Sequence, residues 1–287
     1  MNNIVANNTV QSLKVHLLRG LSELYDEREA GNIIQILFET YSGWSRADLV
    51  MNSGTRLSES EILRYHFALK RLIKGEPIQH ITGYQFFLGR KFQVSPDVLI
   101  PRPETEELVL RIISSERRTA PAILDIGAGS GCIAISLKTL KPLARIYAID
   151  VSNEAIEIAK KNALTHEADV QFEQSDILTN SIQGKFDIIV SNPPYIPQSE
   201  SGSMIPQVTQ FEPAIALYSP DGDPLIFYKR IIKLAADALN PGGSLWFEIH
   251  ENKGDELLSL CREFNIQNVT LHKDLQQKDR ILHIKFE

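Results

Sequence analysis

The sequence predicts an α/β protein: an open, mostly parallel sheet of seven strands covered by helices, preceded by a small helical bundle and a linking β-hairpin. Three observations predict it. Residues 1–75 carry helical apolar periodicity without a strand signal, and a short aromatic stretch between Glu76 and Pro101 has β character. After residue 119, β-prone apolar runs alternate with amphipathic ones. These shifts place boundaries at 1–75, 76–102 and 103–287.

In the first segment Leu13, Leu17, Leu21 and Leu24 draw one apolar stripe at helical spacing. Ile33, Ile34, Ile36, Leu37 and Phe38 form a second apolar segment beginning after Gly31. Ser58 and Glu61 fit a capping box, in which each reaches the other's backbone N–H. Ile62, Leu69 and Ile73 continue that helix on one face, with Leu63 and Phe67 beside them. The stretch Gly83–Val94 reads as a hairpin with Gly89 at its turn. Pro101-Arg102-Pro103 then stops the strand, and Glu104, Glu106 and Glu107 fill the first turn of a helix, against the positive end of its dipole.

The remaining strands are expected at Ala122–Ile126, Ala144–Ile149, Asp169–Phe172, Phe186–Val190, Ser244–Ile249, Asn268–Leu271 and Arg280–Phe286. Helices are expected at Cys132–Leu140, Asn153–Leu164, Pro224–Leu239 and Lys253–Phe264. Pro197–Pro220, rich in Ser, Pro and Gln, reads as one long loop beside the site.

Composition narrows the function. The chain has 287 residues, 43% hydrophobic and 23% charged, which suits a globular protein with a sizeable core. No apolar run approaches a membrane span, and no basic segment followed by an apolar one opens the chain. A cytoplasmic location without membrane association is therefore expected. Cys132 and Cys261 are isolated, and the seven histidines form no HxxxH pair, so reduced thiols and no metal are expected. Net charge is −6, with +1 on residues 1–75 and −7 on the rest. That balance argues against a protein that rides the nucleic-acid backbone.

Two motifs carry chemistry. The first is Asp125-Ile126-Gly127-Ala128-Gly129-Ser130-Gly131, a glycine turn between a strand and a helix. Its spacing is GxGxG, unlike the GxGxxG of dinucleotide folds, which argues against a nicotinamide oxidoreductase. Asp150 ends the next strand, 19 residues past Gly131, where a carboxylate can take both hydroxyls of a ribose. Asp176 would sit near an adenine edge, with Ile177 next to the ring. The bland alternative is a glycine turn that binds nothing.

The second motif is Asn192-Pro193-Pro194-Tyr195, directly after the apolar run 186–190. An amide nitrogen is a poor nucleophile, so methylating one requires orientation and acceptors for its N–H groups more than a strong base. Asn192 offers a side-chain carbonyl, and Pro193 keeps its backbone C=O while lacking an N–H. Both residues precede a proline and are held extended. Tyr195 can stack on a flat amide or base. Taken alone, the tetrapeptide fits a surface turn, an adenine or an amide.

The combination resembles the HemK/PrmC family of peptide chain release factor N5-glutamine methyltransferases. The resemblance runs through the helical N-terminal domain, residues 77–92, Ile100-Pro101-Arg102-Pro103-Glu104-Thr105-Glu106, the glycine loop, residues 191–197, Phe211-Glu212-Pro213-Ala214-Ile215-Ala216-Leu217 and Asp279-Arg280. It implies a Rossmann-like class I S-adenosylmethionine methyltransferase domain and an N-terminal substrate-docking domain. It implies S-adenosyl-L-methionine contacts at Gly127, Ala128, Gly129, Ser130, Gly131, Asp150, Ile177 and Asn192. Asn192, Pro193, Pro194 and Tyr195 would meet the substrate glutamine, with Asn192, Pro193 and Tyr195 acting on it. The expected substrate is the Gly-Gly-Gln loop of translation release factors, and the expected state is a monomer with no stably bound nucleic acid. Two positions depart from the family pattern: Ile177 replaces an aromatic found in some relatives, and His250-Glu251-Asn252 stands where many have glycine. The competing readings are an adenine-N6 methyltransferase of DNA or RNA, a glutamine methyltransferase of a ribosomal protein, and a non-catalytic cofactor-binding adaptor.

Overall fold

The computed structural model describes residues 7–197, 206–220 and 222–287. The chain divides into two compact units: residues 1–83 with Pro206–Phe211, and residues 84–205 with 212–287.

The first unit is helical. It contains α1 (Val10–Leu21), α2 (Glu27–Ser42), α3 (Arg46–Met51), α4 (Glu59–Ile73) and α5 (Ile78–Thr82). Leu13, Leu17 and Leu21 are buried as their spacing predicts, but α1 ends at Leu21 and Leu24 lies exposed beyond it. Asp26 caps α2 by accepting from the Glu29 N–H, so that helix starts ahead of Gly31 and runs through it. The cap fixes the start of α2, and a mid-helix glycine costs only about 1 kcal/mol against alanine. Both halves of the Ser58/Glu61 capping box are present. In α4 the buried face is Ile62, Tyr65, Ala68, Leu69 and Leu72, leaving Phe67 and Ile73 exposed. Tyr65 turns inward because its hydroxyl finds Ser42 Oγ at 2.7 Å.

The second unit opens with β1 (Tyr84–Phe87) and β2 (Arg90–Gln93), antiparallel and joined by Leu88-Gly89. Both loop residues have positive φ, 47° and 72°, as a two-residue hairpin turn of the primed type requires. The Leu88 N–H donates to Glu106 Oε1 at 2.8 Å, tying the hairpin to α6 (Pro103–Ser115). Glu107 accepts from the Leu275 N–H at 3.1 Å. Two of the acids expected to serve as dipole partners therefore also hold distant backbone.

The sheet follows in βα alternation: β3 (Ala122–Ile126), α7 (Cys132–Leu140), β4 (Arg145–Asp150), α8 (Asn153–Thr165), β5 (Val170–Gln174) and β6 (Phe186–Ser191). Next in the chain come β7 (Ile196–Pro197), α9 (Pro206–Phe211), α10 (Ala214–Leu217), β8 (Tyr218–Ser219) and α11 (Ile226–Ala238). The chain closes with β9 (Leu239–Glu248), α12 (Gly254–Glu263), β10 (Val269–Lys273) and β11 (Asp279–Lys285). Seven strands form one sheet in the order β10-β11-β9-β6-β3-β4-β5, parallel except for β11, which runs against both its neighbours.

Both faces are covered. Ile123, Ile188 and Val190 face one apolar cluster with α6 and α7 residues, whereas Leu124, Ile126 and Ile189 face another built on α11 and α12. That alternation within near-continuous apolar runs is how a buried parallel sheet reads. The expected seven strands are found, with shifted ends: β9 begins five residues before Ser244 because Leu239 registers with Phe186. The stretch Pro197–Pro220 is not a bare loop. Among its described residues α9, α10 and β8 form, and β8 pairs in parallel with β7. Residues 198–205 lie outside the described structure.

Candidate active site

Strand order reverses at β3. The chain first winds outward through β4 and β5, then crosses back to β6 and β9. Open α/β sheets hold ligands at such a switch point, beyond the carboxyl ends of the strands. Both motifs sit there: the glycine loop leaves β3, and Asn192 follows the last residue of the adjacent strand β6.

A cavity of about 300 Å³ opens between them. Gly127, Ala128, Gly129, Ser130, Asp150, Ile177, Asn192, Pro193 and Pro194 all line it, as does Asp176. Its wall is mainly apolar with a few convergent polar groups, the usual make-up of a small-molecule site. Gly131 and Tyr195 are not among the lining residues.

Gly131 has a different task. A Cβ built on it would lie 2.9 Å from Ile135 Cδ1 and 3.1 Å from Ala159 Cβ, so the missing side chain lets α7 and α8 close together. At Gly129 the same construction meets nothing within 4 Å, which leaves open space beside the loop for a ligand. Around the turn, the Gly127 and Ala128 N–H groups both donate to Ile149 O, at 2.8 and 3.0 Å. Buried Asn162 then locks the assembly: Nδ2 donates to Ser130 O and Gln93 O, while Oδ1 accepts from the Gln93 N–H. Nothing in the local sequence singles out Asn162, because its partners are 32 and 69 residues away.

Asp150 accepts from the Gly129 N–H at 2.8 Å and from the Ser152 N–H at 2.9 Å. Burial nonetheless raises its pKa, with those bonds opposing the shift. Asp176 accepts from the Leu178 N–H at 2.9 Å, so part of its capacity goes to its own turn. Ile177 is buried, and its carbonyl accepts from Arg230 Nε at 3.0 Å. Phe227 and Tyr218 bring aromatic surface to the same cavity.

On the other side, Ser191 Oγ donates to Ile126 O at 2.7 Å, joining the two motif-bearing strands. Asn192 Nδ2 points at Thr105 Oγ1, 3.5 Å away, and Thr105 Oγ1 donates to Glu248 Oε2 at 2.6 Å. Tyr195 packs against the second core cluster, edge-on to His250 with ring centroids 5.8 Å apart. Burial raises its hydroxyl pKa. The turn at His250 closes without glycine, since its Nδ1 accepts from the Asn252 N–H and its carbonyl from the Lys253 N–H.

Arg102 and Thr105 also line the cavity. Arg102 pairs with Glu212, whose carboxylate is almost wholly buried and also accepts from the Ile100 N–H at 3.0 Å. One ion pair thus anchors both the 100–106 and 211–217 segments, and the latter adds Ile215 and Ala216 to the wall. Among the described residues no group of three or more His, Cys, Asp or Glu could hold a metal ion, and both cysteines are free and buried. No helix of the described residues is long and apolar enough to cross a membrane.

This sheet order, with a glycine loop and an acid on successive strands, defines a class I methyltransferase domain. Residues 104–226 match the methyltransferase small domain and residues 17–83 the PrmC N-terminal domain. The fold is shared with a methyltransferase from Pyrococcus furiosus at a TM-score of 0.52 and 17% identity, covering 79% of this chain and 98% of that one. The release factor glutamine methyltransferase of Flavobacterium psychrophilum is 39% identical over 282 residues, 96% of this chain and 99% of its own. That of Bacteroides thetaiotaomicron is 41% identical over 272 residues, covering 94% and 98%. The chain belongs to the release factor glutamine methyltransferase family.

Proposed function

We propose that the protein transfers a methyl group from S-adenosyl-L-methionine to the side-chain amide nitrogen of a glutamine in translation release factors. The observation that carries this reading is the convergence of the glycine loop, Asp150 and Asn192-Pro193-Pro194 on one cavity. Open space beside Gly129, a carboxylate at the end of β4, and an apolar wall at Ile177, Phe227 and Ile231 support this cofactor. Bound there, S-adenosylmethionine supplies a methyl group on a sulfonium, electrophilic enough for a weak amide nucleophile.

The protein's own groups then have defined work. Asp150 holds the ribose hydroxyls, and Gly127–Ser130 keep backbone close to the ligand. Ile177 gives apolar contact to the adenine. Asn192 Oδ1 and the Pro193 carbonyl accept the two N–H groups of the substrate amide, raising density on its nitrogen and fixing its direction. Pro194 and Tyr195 shape the surface against which the amide plane lies, with Tyr195 acting from behind the cavity wall. The helical domain at residues 1–75 serves as the docking surface for the protein substrate, with 76–102 linking it to the methyltransferase domain at 103–287. The protein works as a monomer in the cytoplasm.

The test is incubation with methyl-labelled cofactor and purified release factors, with DNA and ribosomal protein as controls, followed by mapping of the labelled residue. Label on the glutamine of a Gly-Gly-Gln loop is expected. Label on DNA or ribosomal protein alone, or nowhere, would overturn the reading.

A further inference from the structure

The Asn192 side chain is a planar amide whose two ends have the same shape and opposite chemistry: one accepts hydrogen bonds and the other donates them. If Oδ1 faces the substrate, it accepts an amide N–H. If Nδ2 does, two donors collide. Something must decide between the two flips, and shape alone cannot.

The sheet register places a group that can. Ser191 pairs with Phe247 across β6 and β9, so the next residue of each strand, Asn192 and Glu248, stand level at the carboxyl ends. Thr105, from the first turns of α6, is hydrogen-bonded to both side chains. A hydroxyl has one proton to give. Thr105 gives it to Glu248 Oε2 at 2.6 Å, leaving only lone pairs toward Asn192 at 3.5 Å, and these accept from Nδ2. A charged carboxylate accepts only, so its presence sets the polarity of the whole chain of bonds.

We propose that Glu248 is a positioning residue that, directly and through the Thr105 hydroxyl, locks the Asn192 amide with Oδ1 toward the substrate. Glu248 itself is 2% exposed and does not line the cavity, so it acts at one remove from the reacting atoms. Its backbone carbonyl accepts from the Tyr228 hydroxyl at 3.1 Å, which holds the strand end still.

The device has a built-in acid limit. Burial pushes the Glu248 carboxyl up to about 7; the hydrogen bond from Thr105, the Arg280 charge and a direct hydrogen bond from the Asn192 side chain oppose the rise, and Glu104 adds to it. The other ionisable groups facing it are Tyr195, Tyr228 and Cys132, all of whose own pKa values are raised by burial. Protonated Glu248 can donate to Thr105, free its proton for Asn192 Oδ1, and let the amide turn over. The orienting action is therefore present above about pH 7 and lost below it.

The catalytic arm of the test rests on the proposed glutamine methylation, and a second arm does not. In the first, Glu248→Gln should lower kcat for release-factor methylation by about 10- to 100-fold, with cofactor affinity unchanged, and erase the acid limb of the pH profile. Thr105→Val should lower kcat in the same direction by a smaller factor, and Thr105→Ser, which keeps the hydroxyl, should restore most of the rate; this pair decides the matter if the Glu248 variant does not fold. In the second, the Asn192 side-chain amide resonance of labelled protein without substrate should titrate near pH 7 and cease to do so in the Glu248 variant. Wild-type kcat in Thr105→Val, or an Asn192 resonance that does not respond to pH, would overturn the relay. Failure of the wild type to label any release factor would overturn the substrate assignment alone, and the resonance titration would still decide the relay.

Discussion

Replacing Gly131 and Gly129 by alanine, one at a time, separates what the two glycines do. Both have positive φ, 79° and 53°, so each alanine incurs a left-handed penalty of about 1–2 kcal/mol. Their surroundings differ. At Gly131 the new methyl would meet Ile135 Cδ1 at 2.9 Å and Ala159 Cβ and Cα at 3.1 and 3.4 Å. Ile135 can turn aside, but Ala159 is helix and yields only if α8 moves. Overpacking of that kind adds about 1–3 kcal/mol, for a total near 2–5. At Gly129 there is nothing to strike, and the penalty stays at about 1–2 kcal/mol while the methyl takes up ligand space. Urea unfolding followed by circular dichroism should therefore rank wild type, Gly129→Ala and Gly131→Ala in falling stability. Calorimetric titration with S-adenosylmethionine should show the larger loss of affinity per unit of lost stability at Gly129. Equal unfolding free energies for the two variants would refute the assignment of Gly131 to helix packing.

Asn192→Ala should lower turnover by roughly two to three orders of magnitude, and near-normal turnover in a folded variant would contradict the role given to its amide. Asp150→Ala should weaken cofactor affinity by about 10- to 100-fold, the worth of hydrogen bonds to a charged group, and an unchanged dissociation constant would count against the ribose contact. Arg102→Gln should destabilise the fold by about 1.5–3 kcal/mol, because among the described residues the buried Glu212 carboxylate would keep only the Ile100 N–H; a neutral result in urea unfolding would show that solvent replaces the guanidinium. His283 lies flat on Trp246 with centroids 3.7 Å apart, and burial pulls its pKa down to about 4. The unfolded chain then binds a proton that the folded one refuses, so stability falls as pH drops from about 6.5 towards 4. His283→Phe keeps the stacking and should flatten that slope; an unchanged slope would place the titration elsewhere.

Much of this architecture is legible in the sequence because its causes are local. The apolar runs of β3 and β6 read as buried strands, and the Ser58 capping box announces its helix from four residues. The glycine loop, Asp150 and Asn192 can be found because each sits at a strand's carboxyl end, where sequence pattern and ligand geometry coincide. What escapes depends on partners far apart in the chain. Glu248 looks like the polar end of a strand until Thr105, 143 residues earlier, is placed beside it. Asn162 looks like a surface residue of an amphipathic helix and is buried under three backbone bonds. Tyr195 reads as a ring for the substrate; it lies behind the cavity wall, partly buried against the second core cluster beside His250, a depth that the two prolines before it do not announce. Leu24 has the right spacing for its helix but falls past the end, which periodicity alone cannot locate.

The reversed strand β11 has a consequence for how the molecule is made. It is the last strand in chain order and lies inside the sheet, joining β10 to β9. During synthesis the other sheet strands emerge first, and β9 waits with one row of backbone donors and acceptors open. Until residues 279–285 clear the ribosome, that edge is a template for any other extended chain, and β10 has nothing to pair with. Deleting those seven residues would remove two strands from the sheet and leave the β9 edge open to misassembly.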